Sequence, residues 1–195
     1  MKKSLTRLLL GALILFVWQF MSWAALNFHQ KAQQQTPQQD SILAYIQGLG
    51  LEEGQYLMPQ PGPGATAEKQ QEFMREQEGK PWAMLAVHYR NQTSMWMPML
   101  RGYLVDILIV WMLFALLDAL LRTVPRGRRW TMSALYSMTV GLIGYFAISY
   151  TNFIWYQSFD ILASLMDGVV PWALLGALHG AFWCQGDQAK QAQTA

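Results

Sequence analysis

The chain has 195 residues, 53% of them hydrophobic and only 13% charged, where a soluble domain carries about 25% charge. That balance excludes an ordinary soluble domain and points to a membrane protein, for which nine tryptophans and eight tyrosines are suited as interface residues. A formal charge of +2, spread along the chain, excludes a concentrated nucleic-acid-binding face, and the single cysteine, Cys184, excludes an intramolecular disulfide or a thiolate metal cluster within one chain.

The first apolar run, Leu8 to Leu26, has 19 residues without a charge. At about 1.5 Å per residue it matches the roughly 30 Å hydrocarbon layer. Lys2, Lys3 and Arg7 before it, and Ser22-Trp23-Ala24 within it, also fit a cleavable signal. Trp18, Phe20 and Trp23 occupy the stretch where such a signal turns small and polar, so an uncleaved anchor over residues 1–26 is the expectation.

Residues 27–102 differ in character and form an expected extracytoplasmic insert. Its start, residues 29–40, is glutamine-rich, carries a proline, and has no apolar periodicity, which predicts a tether. Asp40 or Ser41 can cap a helix that puts Ile42, Leu43, Ile46 and Leu49 on one face. Gly54 to Pro59 reads as a short strand, and Thr66 caps a polar helix that Gly79 ends. Trp82 to Tyr89 is a second strand candidate, giving a small α/β unit in which the two strands can pair.

Residues 103–183 predict three further spans, at Tyr103–Leu121, Trp130–Tyr150 and Ile161–Trp183, with a tail at 184–195. The loop after the second span carries Arg122, Arg126, Arg128 and Arg129, and basic loops stay cytoplasmic. Lys190 joins them in the tail, whereas the insert's six basic residues are offset by seven acids. The expected fold is thus an α-helical membrane protein with four transmembrane helices, both termini cytoplasmic and the insert outside, in a bacterial inner membrane.

The order of these features resembles a family of small bacterial inner-membrane proteins with no assigned activity. VWQFMSWAALNFH at the end of the first span, GQYLMP and KPWAMLAVH in the insert, and the three later spans carry the resemblance. It implies the architecture and no mechanism.

Ionisable groups inside a span cost about 2.5–3.5 kcal/mol at mid-membrane, so each is a candidate for a role. Asp118 precedes Arg122 by four residues, a self-neutralising pair near the cytoplasmic side. Asp106 is expected one turn inside the outer interface, within reach of water and Arg101. Asp167 sits beside Gly168 and Pro171 in the last span, where it either bonds a hydroxyl or tyrosine of the third span or serves as an ionisable group at a broken helix. His179 lies between Gly176 and Gly180, and with Ser133, Ser137 and Gly141 these small residues predict a close helix–helix contact.

Outside the membrane, Met95, Met97, Met99 and His88 are candidate soft-metal ligands, since an extended chain would put the three thioethers on one side for copper. The same methionines suit apolar packing at the interface beside Trp96. No nucleophile elbow, HExxH or phosphate loop is present. No catalytic residue and no cofactor is therefore expected. The leading expectation is a non-catalytic interaction or accessory subunit, partnered by the bilayer and by a membrane protein or further copies of itself. Copper handling, and transport or proton coupling through Asp167, are the alternatives.

Overall fold

The computed structural model describes residues 2–91 and 94–194, with side chains described for 4–91 and 94–183. Among the described residues, four helical stretches are long and apolar enough to cross a membrane: Ser4–Ala25, Trp96–Thr123, Arg126–Tyr156 and Ile161–Trp183. The chain divides into two compact units, one made of Met1–Gln34 with Ser94–Ala195, the other of Gln35–Thr93.

In the first unit, α1 (Lys2–Phe20) runs into a π-helical turn, Met21–Ala25. α4 (Trp96–Leu120) begins seven residues before the expected Tyr103. Pro98 falls in the first helical turn, where a backbone N–H would lack a partner anyway. Two short 3₁₀ turns carry the arginine loop. α5 (Arg129–Gly144) continues through a π-helical stretch, Tyr145–Tyr150, into α6 (Thr151–Tyr156), which stops at Gln157 with a φ of 48°. α7 (Ile161–Thr194) contains Pro171 and runs through the expected tail, whose side chains, Lys190 among them, lie outside the described residues.

The helices pair as α5 with α7 and α1 with α4, and α1 also meets α7. The α5–α7 contact is close because small residues line it. A methyl group at Gly141 would come within 2.2 Å of the Gly168 carbonyl, and one at Gly176 within 2.5 Å of the Ser133 carbonyl. One at Gly180 would lie 2.9 Å from the Trp130 Cα, and Ser133 and Ser137 are fully buried. Ser137 donates to the Trp172 carbonyl at 2.6 Å, so its hydroxyl is satisfied inside the pair. A second apolar layer joins α1, α4 and α7 through Leu15, Val110, Leu113, Phe114, Leu117 and Leu175. Leu9, Leu13 and Val17 of α1 and Leu104, Leu108 and Met112 of α4 remain exposed, the surface a bilayer would cover.

The second unit holds α2 (Gln39–Gly48), β1 (Gly54–Met58), α3 (Ala67–Gln77) and β2 (Ala83–Val87). The strands pair antiparallel, with Gly54 opposite Val87 and Met58 opposite Ala83. Thr66 caps α3 by accepting from the Lys69 amide, and Gly79 ends it with a φ of 76°, as its sequence indicates. α2 starts one residue before Asp40, so neither Asp40 nor Ser41 is its cap. Among the described residues of this unit only Val87 is buried.

Candidate functional site: buried polar clusters in the helix bundle

Three polar clusters lie within the first unit, and α1 contributes to all of them. The first begins at Arg7. Its guanidinium meets Asp118 with two contacts, Nη1 to Oδ1 at 3.2 Å and Nη2 to Oδ2 at 3.0 Å, and lies 5.2 Å from the Phe114 ring centroid. This planar two-pronged match is what a guanidinium offers a carboxylate, and the ring adds a cation–π contact. The i,i+4 expectation named Arg122, but the Asp118 carboxylate is matched by Arg7 of another helix, 111 positions away. Asp118 Oδ1 also meets His179 Nε2 at 2.9 Å, while His179 Nδ1 meets the Ser133 hydroxyl at 3.2 Å. His179, fully buried, is therefore a bonded link between α4 and α5 as well as a member of the small-residue face.

The second cluster is a pair. Gln19 Nε2 donates to Asp106 Oδ1 at 3.0 Å. Asp106 is only 1% exposed, and its Oδ2 is buried without a hydrogen-bond partner among the described residues. The expectation that it would sit near water is corrected, because starting α4 at Trp96 carries Asp106 three turns into the helix and turns it onto α1.

The third cluster is the most elaborate. Asp167 Oδ1 accepts from the Trp18 indole N–H at 2.9 Å and from the Ser22 hydroxyl at 2.7 Å. Asp167 Oδ2 meets His29 Nε2 at 3.0 Å, and the other ring nitrogen of His29 meets Asp160 Oδ2 at 2.6 Å. Trp23 stacks on the imidazole, with centroids 3.8 Å apart and planes within 3°. His29 is 3% exposed, so it does not belong to a solvated tether.

Local backbone geometry explains how His29 returns to the bundle. The wider π turn at Met21–Ala25 leaves the Leu26 amide on the Met21 carbonyl at 2.7 Å and the Phe28 amide on the Ser22 carbonyl at 2.9 Å. Asn27 then takes a left-handed φ of 53°, which reverses the chain and delivers His29 to α7. Asparagine tolerates that conformation better than most side chains. The partners expected for Asp167 were on the third span, but they lie on the first span and just beyond it.

The methionine motif takes a different form from the one that suggested copper. Met95 precedes α4, and Met97 and Met99 are within it, so two residues of spacing turn them about 200° apart around the axis. The one-sided thioether array of an extended chain is not formed. All three are exposed, at 65%, 59% and 45%, and His88 lies just beyond β2 in the other unit. Among the described residues, no group of three histidine, cysteine or acidic side chains is arranged to hold a metal ion.

The sequence points to Asp106, Asp118, Asp167 and His179, and to His29 only as a candidate soft-metal ligand, but not to Arg7, Trp18, Gln19, Ser22 or Asp160 as members of these clusters. A usable signal existed for α1: Arg7, Gln19 and Ser22 interrupt an otherwise apolar span and so require internal partners. Comparison of the chain with protein-family models, with curated proteins and with solved structures finds no match.

Proposed function

We propose that this chain is a non-catalytic, membrane-anchored interaction or accessory protein of a bacterial inner membrane. Its four spans hold a small extracytoplasmic insert against a protein partner. The orientation, with both termini cytoplasmic, rests on the arginines between α4 and α5 and on the near-neutral insert. The resemblance to small bacterial inner-membrane proteins supports the same placement.

One observation carries the reading. The insert unit has one antiparallel strand pair and two helices but almost no interior of its own. Ile42, Leu43, Tyr45 and Leu49 along α2 are 46%, 63%, 70% and 53% exposed. Residues 42, 45, 46 and 49 follow the helical apolar spacing, so they form a continuous stripe. A stripe of this kind, on a unit with so little burial, fits a surface completed by another molecule. The buried ionisable groups of the bundle fit this reading as well, since each touches an internal partner that ties helices together.

The test is the native mass of the complex after gentle extraction, compared with Leu43→Glu, which puts a charge beside the stripe at an exposed apolar position. A defined hetero-complex lost on substitution supports the reading. The same mass for both proteins, at the value of this chain alone, refutes it. Contact of Asp167 with His29 favours the second reading, a proton-coupled component, for which Asp167→Asn would abolish function while the protein still folds.

A further inference from the structure

Asp160, His29 and Asp167 hold more hydrogen-bond contacts than a neutral imidazole can satisfy. Each ring nitrogen of His29 faces a carboxylate oxygen, at 2.6 Å and 3.0 Å. A contact between two lone-pair atoms needs a proton between them, and a neutral imidazole carries one N–H. The arrangement seen here thus holds two protons across the three side chains. Trp18 and Ser22 cannot supply the second, because their N–H and O–H already point at Asp167 Oδ1.

Among the described residues, the charged groups that contact His29 are the carboxylates of Asp160, just before α7, and Asp167, within it, and from the α1 side it meets the neutral ring of Trp23. Removing one proton would leave a nitrogen lone pair opposed to a carboxylate in a site where His29 is 3% exposed. Such a buried repulsive contact is relieved by separation. The backbone bonds of the segment that carries it are local: the Leu26 and Phe28 amides bond back to Met21 and Ser22, and the Gln30, Ala32 and Gln33 amides bond within the turn, to Asn27, His29 and Gln30.

We propose that Asp160, His29 and Asp167 form a proton-operated latch that clips residues 26–34 onto the start of α7, closed with two protons bound and released as pH rises. Release would free the segment that joins the first span to the insert. The latch is independent of which partner the insert binds.

The full-length protein in micelles tests this with two measurements. With only three histidines in the chain, selective ¹⁵N-histidine labelling resolves His29 by comparison with His29→Gln and reads whether both ring nitrogens carry protons. Hydrogen exchange of the Phe28–Gln33 amides, corrected for the intrinsic pH dependence of exchange, reads the latch. Between about pH 5 and about pH 8, where histidine changes charge, protection should fall by roughly tenfold or more in step with loss of the second ring proton. His29→Gln should make protection independent of pH. Asp160→Asn, which leaves one carboxylate to stabilise the imidazolium, should move the release to lower pH. Unchanged protection while His29 loses a proton overturns the latch, as does a closed segment in which His29 carries a single ring proton at every pH.

Discussion

Replacing Gly141 by alanine tests the close α5–α7 contact, because two opposing effects have known sizes. In a helix with open surroundings, glycine to alanine stabilises by roughly 0.5–1 kcal/mol. At Gly141 the new methyl would stand 2.2 Å from the Gly168 carbonyl oxygen and 2.4 Å from Trp172 Cγ and Cδ1, against the 3.4 Å at which ordinary contact begins. The indole can rotate, but the carbonyl belongs to the α7 backbone, so α7 must retreat by about 1.2 Å. Forcing a methyl group into a packed site costs about 1–3 kcal/mol, which outweighs the helix preference. A net loss of about 1–2 kcal/mol, roughly five- to thirtyfold in the folding equilibrium, is expected. Gly176→Ala should cost at least as much, since its methyl would meet the Ser133 carbonyl at 2.5 Å and the Ala134 Cα at 2.6 Å, both backbone. Gly144→Ala is the control: nothing lies within 4 Å of its added carbon, so it should be neutral or stabilising. Reversible unfolding in mixed micelles measures all three. If Gly141→Ala and Gly176→Ala were as stable as the parent, the close packing argued here would be wrong.

Removing Asp118 leaves the Arg7 guanidinium and the fully buried His179 without their acceptor. Asp118→Leu should therefore cost about 3 kcal/mol, at the lower end for a broken buried pair because the Asp118 side chain is 32% exposed. Arg7→Met combined with Asp118→Leu should be less damaging than the two losses added together, and a double-mutant cycle in the unfolding assay checks this. Asp106→Asn should be neutral or stabilising by about 1 kcal/mol. It keeps the oxygen that Gln19 donates to and removes a buried carboxylate oxygen without a partner. A loss above about 2 kcal/mol in the same assay would show that both Asp106 oxygens are used.

The spans were legible because hydrophobic length reports directly on the bilayer, and the small residues of α5 and α7 were legible because only close helix approach favours them. The Thr66 and Gly79 ends of α3 followed from local rules that operate within a few residues. The polar clusters were not legible in the same way. Arg7 finds Asp118 across 111 positions, and Trp18 finds Asp167 across 149, while a reading along the chain offers Arg122 at four. Which helices become neighbours decides these partners, and periodicity within one helix carries no such information. His29 was hidden for another reason. It lies at the edge of a glutamine-rich segment, and the π turn and left-handed Asn27 that return it to the bundle have no strong sequence mark.

The claim that the insert exists to meet a protein partner is tested most directly by a photo-reactive residue placed at Leu43, beside the exposed stripe of α2. In intact cells it should cross-link in high yield to one defined protein, and the same probe at Gly127, in the arginine loop between α4 and α5, should not capture that protein. Cross-links at Leu43 to lipid alone, or an identical pattern from both positions, would contradict the account.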